Sequence, residues 1–470
     1  MHWLVFFLCL VIVQIFTILI LEFRKPSKTV AWLFILFVFP IIGFVMYYFL
    51  ASEYRSRKKV EKRTLHAPFD MKRQYRSYLK SEPVPAVITA RLGKLLASIP
   101  YSPLSSNNRV EVLFNAVDTY EAMMKAMKEA QEHIHLEYYT FRPDEAGQPF
   151  LKLLRKKAME GVRVRLIFDG VGTMDLKKPE LTLLKEAGVE FTCFLPPLFA
   201  FFDKRMNYRN HRKLVVIDGK VGFLGGINIG EEYLGGNPKL GYWRDTHLKL
   251  TGKAVHALQY VFMKDWQLSK EEELIEGGLF QGDLEEHGME PVQIIASGPD
   301  AAWDSILEAY FSAISAAEES VYITTPYFIP DSSVIMALKT AALSGVDVRV
   351  IFPQRSDSVL VRWASLSYLE ELLEAGVKFY EYTRGFIHAK ILIVDRKIAS
   401  VGTANMDMRS FFDNFELNAM LYDPKNIAVL LRDFQQDLKD SEEVELKDFE
   451  QRSRWMKMKE AVGRMLSPLL

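Results

Sequence analysis

The chain has 470 residues, enough for two or three domains with full-sized cores. Lys and Arg together number 59, as do Asp and Glu, and this balance argues against a dedicated nucleic-acid binder, which carries a basic surplus. The two cysteines, Cys9 and Cys193, lie far apart in apolar stretches, which argues against a disulfide and fits a reducing compartment.

Hydrophobic residues make up 49% of the chain, and the excess sits at the front. Residues 3–21 and 30–50 carry no charge, and each approaches the roughly 20 residues of a membrane-spanning helix. No Lys or Arg precedes the first run and no small-residue cleavage site follows it, so a secretory signal fits poorly. A two-helix transmembrane hairpin over 1–52 is expected. Its connector holds Arg24, Lys25 and Lys28, and the following stretch holds Arg55, Arg57, Lys58, Lys59, Lys62 and Arg63. Six basic residues against three favour a cytoplasmic body. Residues 53–105 read as a basic, membrane-proximal linker or helix.

From about residue 110 strands and helices alternate, which indicates an α/β layered fold. "VEVLFNA" reads as a strand, and "DTYEAMMKAMKEAQE" as a helix with Asp118 as N-cap. "HIHLEYYTF" is the next strand, "FLKLLRKKAMEG" a helix closed by Gly161, and "VRVRLIFDG" a strand. The order returns later. Gly161 of "GVRVRLIF" matches Gly345 of "GVDVRVIF" at an offset of 184, and Ala187 matches Ala375 at 188. His211 matches His388 at 177. A near-constant offset is a tandem duplication, with halves placed at 106–282 and 283–470. The first copy carries about eleven extra residues within 192–209, aromatic and basic. They suit either a covered loop or a membrane-contacting one.

In "HRKLVVIDGKVGFLGGIN", His211 and Lys213 are two apart and share a face if the segment is a strand. The Asp-Gly pair at 218–219 signals a tight turn. A hairpin there pairs positions summing to about 439, which returns Asn228 to His211. In the second copy Asn405 returns to His388. Asp218 lies about 23 Å from His211 along an extended strand, so it serves the turn, as does Asp395. Two imidazoles and two ammoniums suit phosphodiester transfer. One neutral imidazole attacks phosphorus and the other moves protons, while Lys and Asn hold the phosphoryl oxygens. Each His needs an acceptor on its other ring nitrogen. Asp245 and Glu416 stand 34 and 28 residues after the His of their own copy. Nothing in the residues alone orders the two histidines. His133 and His135 form no wider ligand cluster and are read as structural.

The doubled spacing of His211, Lys213, Asp218, Gly225 and Asn228 with His388, Lys390, Asp395, Gly402 and Asn405 resembles the signature of the phospholipase D superfamily. With "EYYTFRPDEAG", "YWRDTHLKLTG", "TTPYFIPD" and "GTANMDMRSFFDNFELN", residues 22–470 resemble bacterial cardiolipin synthases. Gly226 and Thr403 stand where many superfamily hairpins have Ser. The resemblance implies two α/β halves sharing one pseudo-two-fold active site. It implies a catalytic set of His211, Lys213, Asp218, His388, Lys390 and Asp395, with His211 as nucleophile, His388 as general acid/base, Asp245 and Glu416 as orienting acids, and no metal or cofactor. It further implies phosphatidylglycerol as substrate, a location at the bacterial cytoplasmic membrane, and no nucleic-acid partner. Water as acceptor, another phosphatidyltransfer or a nuclease activity remain as alternatives. The C-terminal "RSRWMKMKEAVGRMLSPLL" suits an amphipathic helix lying on anionic lipid or packed on the core.

Overall fold

A computed structural model describes residues 2–21, 26–50, 88–196, 208–270, 288–301 and 303–469, with the single positions 82, 85 and 279. Most of the linker (51–81) and of the first copy's insert (197–207) lies outside the described residues.

The duplication is visible as two sheets with one strand order. The first runs Asn108–Phe114, Thr246–Gly252, Val221–Gly225, Lys213–Ile217, His133–Tyr138, Arg163–Asp169, Glu190–Phe194. The second repeats it as Val292–Ser297, Asn414–Leu421, Ile398–Gly402, Ile391–Val394, Ser320–Thr324, Asp347–Pro353, Lys378–Tyr382. In each, the last three strands are parallel and joined by helices, and the rest are antiparallel. The second sheet has further edges, Leu104–Ser105 and Ser441–Glu443. The first of these comes from the stretch expected to be linker.

Each sheet has its own core, and a third core joins the halves. That shared core is threaded by the helix Ala254–Lys270, buried on nearly every side, with Leu258, Phe262 and Trp266 among its fully buried residues. Burying such large apolar side chains contributes roughly 1.5–3 kcal/mol each, so the halves have little reason to separate. His133 and His135 face this helix from the neighbouring strand. Both contact the Gln259 amide, and His135 stacks on Phe262 at 4.4 Å.

Two local expectations are corrected. The helix expected to start at Asp118 begins at Asn115 and runs to Glu129, with Asp118 in its first turn. Asn115 has φ of 62° and its amide group is bonded to Tyr242 and to the Asp245 N–H, so a tertiary contact fixes the start. The second apolar run is not one helix. Helix α1 covers His2–Leu21, but 26–50 forms α2, Pro26–Val38, and α3, Pro40–Leu50. Pro40 lacks an N–H and restricts Phe39 before it, which breaks the helix there. Among the described residues no helix is long and apolar enough to cross a membrane. The C-terminal helix Arg454–Leu466 packs one side on the body through Gly463 and Arg464 and leaves Trp455 exposed.

Both histidine hairpins close by the expected tight turns. Positive φ at Asp218 and Gly219, and at Asp395 and Arg396, matches the twist that hairpins require. The pairing sums to 438, one position from the expected register. Each turn Asp also accepts three backbone N–H groups at the head of a neighbouring strand: Asp218 those of Gln131, Glu132 and His133, Asp395 those of Glu318, Glu319 and Ser320. The Asp218→Ala variant should therefore lose about 2 kcal/mol of stability, read as a lower thermal midpoint of the purified enzyme. Turnover per folded molecule should change less than about threefold, well below the loss that removal of a reacting group gives.

Candidate active site

The two His-x-Lys segments are not simple strand ends. His211 and Arg212 lie in a break between the two-residue strand Arg209–Asn210 and the strand Lys213–Ile217. Arg209–Asn210 pairs in parallel with Asn414–Phe415 of the other half. The second copy does the same. Gly385–Ile387 pairs in parallel with Tyr242–Arg244 of the first half, and His388 follows in the break before Ile391–Val394. Each chain segment thus leaves the foreign half, presents its His, and enters its own sheet. Two backbone bonds pin the crossings, His211 N to Phe415 O at 2.9 Å and His388 N to Arg244 O at 2.7 Å.

This crossing exchanges the orienting acids. His211 Nδ1 lies 2.9 and 3.0 Å from the Glu416 carboxylate oxygens, and His388 Nδ1 lies 2.7 Å from Asp245 Oδ2. The sequence expectation assigned each acid to the His of its own copy; the structure pairs them across the halves. Both carboxylates are fully buried. A carboxylate on Nδ1 fixes the neutral imidazole with its proton there and leaves Nε2 as the free base. Burial pushes His211 down to about 4, opposed by Glu416, and His388 down to about 3, helped by the Lys390 ammonium. Both rings are neutral at pH 7. Burial alone would raise Glu416, but His211 and Lys213 outweigh it and hold the carboxyl at about 2.

The lysines sit in the same dry centre. Burial lowers Lys213 to about 7 and Lys390 to about 8. Each ammonium donates to the carbonyl oxygen of its own His, Lys213 at 2.7 Å. Lys390 also depresses His211, and Lys213 depresses His388, so each ammonium acts electrostatically on the other half's imidazole. A phosphodiester anion entering here would meet two buried cations and two basic ring nitrogens.

The asparagines make scaffold bonds that leave each amide a further N–H. Asn228 accepts from Thr140 N and donates to Tyr233 Oη, while Asn405 donates to Asp407. Asn405 Oδ1 has no hydrogen-bond partner.

Several residues that hold the site gave no sequence signal. Arg212, 1% exposed, reaches across the halves: its Nε donates to Glu416 O at 3.1 Å, Nη2 to Ser297 O at 3.0 Å, and Nη1 pairs with Asp265. It sits between the two signature residues, where the pattern reads "x". Asn115 holds Asp245 from both its N–H and its C=O. The Ser departures also separate. Thr403 donates to Glu416, whereas a Cβ at Gly226 would lie 2.1 Å from Asp245 Oδ1. Gly226 is the space in which the Asp245 carboxylate lies. Gly226→Ala should therefore displace Asp245 and release His388, lowering phosphodiester turnover roughly 10²-fold or more, as loss of an orienting acid does elsewhere. Glu416→Gln should do the same to the His211 step. Rapid-quench kinetics of the purified variants checks both.

The family profile described as "Cardiolipin synthase, PLD-like domain" matches residues 123–266 and 310–438, and a "Phospholipase_D-nuclease N-terminal" profile matches 4–51. The chain is 44% identical to a cardiolipin synthase of Halalkalibacterium halodurans over 469 residues, covering 98% of this chain and 92% of the relative. It is 44% identical to one of Geobacillus kaustophilus, with the same coverage. It is 41% identical to the major cardiolipin synthase ClsA of Bacillus subtilis, covering 96% and 95%. The fold is similar to a phosphatidylserine synthase of Haemophilus influenzae at a TM-score of 0.63 and 16% identity, covering 81% of this chain and 99% of that one. Matched over nearly its full length, the chain belongs to the bacterial cardiolipin synthase family of phospholipase D-type phosphatidyltransferases.

Proposed function

We propose that the protein condenses two phosphatidylglycerols into cardiolipin and glycerol through a phosphohistidine. The observation that carries the reading is the pair of buried imidazoles, each neutral, each held on Nδ1 by a carboxylate of the other half. His211 Nε2 attacks phosphorus of the first lipid, and the P–O bond to its head-group glycerol breaks. The incoming phosphodiester charge raises the imidazole pKa, so His388 takes up a proton from solvent as the substrate binds and gives it to the departing alkoxide. Lys213 and Lys390 offset the charge that builds on the phosphoryl oxygens. The terminal hydroxyl of the second phosphatidylglycerol gives its proton to His388 and attacks phosphorus. The P–N bond breaks, cardiolipin leaves, and His388 returns its proton to solvent or keeps it for the next phosphodiester, so that both rings are ready for another turn. The residues need no metal for these steps. The enzyme works at the cytoplasmic membrane with its body on the cytoplasmic side, and its lipid partners are anionic.

Labelled phosphatidylglycerol in vesicles should give cardiolipin and glycerol in equal amounts. Phosphatidic acid alone would mean that water is the acceptor. His211→Ala should abolish covalent labelling of the protein, whereas His388→Ala should slow its formation and its resolution.

A pH dependence follows from the buried bases. For kcat/KM, which reports the free enzyme, the acid limb should lie well below 6.5, near 4, where His211 becomes neutral, and a first alkaline limb should begin just above it, because His388 in the free enzyme lacks the proton it must donate. A second, steeper loss should follow between about 7 and 8, where Lys213 and Lys390 lose their charge. A short-chain phosphodiester assayed from pH 4 to 10 reads these limbs.

A further inference from the structure

Helices α2 and α3 do not continue one another. The rings of Trp32 and Tyr47 lie 5.5 Å apart, edge to face. Fifteen residues along one helix would separate them by about 22 Å. A Cβ on Gly43 would lie 2.9 Å from the Ile35 carbonyl oxygen, where a continuous helix would put about 12 Å between the two. Helix α3 therefore doubles back along α2, and the segment returns to the side it left. The thirteen residues of α2 reach about 20 Å, short of the roughly 30 Å hydrocarbon core.

The inner side of this hairpin is packed. Trp32, Leu36 and Tyr47 form a buried cluster with Ile18 of α1. The tip is not packed: Phe37 is 85% exposed, Phe39 56%, Ile41 64% and Ile42 63%. No Asp, Glu, Lys or Arg occurs from Thr29 to Leu50. Part of the turn's backbone is also paired within the chain. Phe39 N–H donates to Ile35 O at 2.8 Å, Gly43 N–H donates to Phe39 O at 2.6 Å, and Pro40 has no N–H to satisfy. Internal satisfaction is what hydrocarbon demands of a chain within it. The base is held to the body by the buried Lys28–Asp413 pair at 2.7 Å, three residues before the Glu416 that holds His211.

We propose that α2–α3 is a re-entrant wedge that enters one leaflet of an anionic bilayer and leaves on the same face, beside the catalytic strand. The occupant around its tip is acyl chain. In sequence the wedge is flanked on both sides by basic residues, Arg24 and Lys25 before it and Arg55, Arg57, Lys58 and Lys59 after it, a composition that suits anionic head groups. In a spanning helix they would oppose each other across the membrane. The choice of lipid as occupant rests on the lipid-substrate reading; the topology does not.

The test uses the full chain with Cys9→Ser and Cys193→Ala, carrying one new cysteine at Ser27→Cys, Ser52→Cys or Phe39→Cys. The probe is a membrane-impermeant maleimide applied to inside-out and right-side-out vesicles containing phosphatidylglycerol. The expected result is labelling of positions 27 and 52 from the same face. Position 39 should react at least tenfold more slowly from either face and be quenched by acyl-chain nitroxides. Labelling of 27 and 52 from opposite faces, or free aqueous labelling of 39, overturns the wedge. Product analysis on the same vesicles separates the two readings. Cysteines on one face without cardiolipin formation would remove the proposed activity and keep the wedge, whereas cardiolipin formation with cysteines on opposite faces would do the reverse.

Discussion

Everything at the centre of this molecule depends on an exchange between its halves. Each of the two buried imidazoles is aligned by a carboxylate that belongs to the other repeat, His211 by Glu416 and His388 by Asp245. The exchange is built by two short parallel pairings that bring the segment before each His onto the acid-bearing segment opposite. A half on its own would hold an imidazole without its acid and an acid without its imidazole. Two buried carboxylates would then lack the groups that stabilise their charge, and such groups are costly to leave unpaired. The duplication thus completes the pairing of each histidine as well as the architecture.

The surrounding polar network serves that exchange. Arg212 ties the His211 segment to Asp265 on the central helix and to two carbonyls of the second half. Arg244 plays a comparable part beside Asp245, donating to Asp437 at 3.0 Å and pairing with Asp433. Beneath Arg212, burial and the neighbouring Asp265 carboxylate push the Glu137 carboxyl well above the usual carboxylate range. That upward shift eases the charge balance of a pocket in which one guanidinium faces both acids. The low-dielectric setting that neutralises the imidazoles and weakens the hold of the lysines on their protons is produced by the same burial.

The repeats are not identical in how they treat their acids. Glu416 takes a hydrogen bond from Thr403 as well as from His211, while the corresponding position on the other side is Gly226, which only makes room for Asp245. The proposed reaction uses the two histidines differently, and this asymmetry of the pseudo-two-fold site touches their acids directly. The amino terminus adds a second asymmetry. Lys28 of α2 binds Asp413 in the second half, so the apolar hairpin is fastened to one side of the site.

The sequence by itself determined a great deal. The offsets of 184, 188 and 177 exposed the duplication, and the spacing of His, Lys, Asp, Gly and Asn exposed two hairpins and their turns. These are local periodicities and turn chemistry, which act over a few residues and leave a direct trace in the order of amino acids. The tertiary structure alone decided which acid serves which histidine, because that choice depends on strands from different halves pairing in space. It also engaged Asn228 and Asn405 in scaffold bonds, gave Arg212 its role inside an unremarked "x", and folded residues 26–50 back on themselves. An apolar run records that a segment avoids water. Whether it crosses a layer or turns within it depends on a backbone break at Pro40 and on the small Gly43 that lets two helices touch.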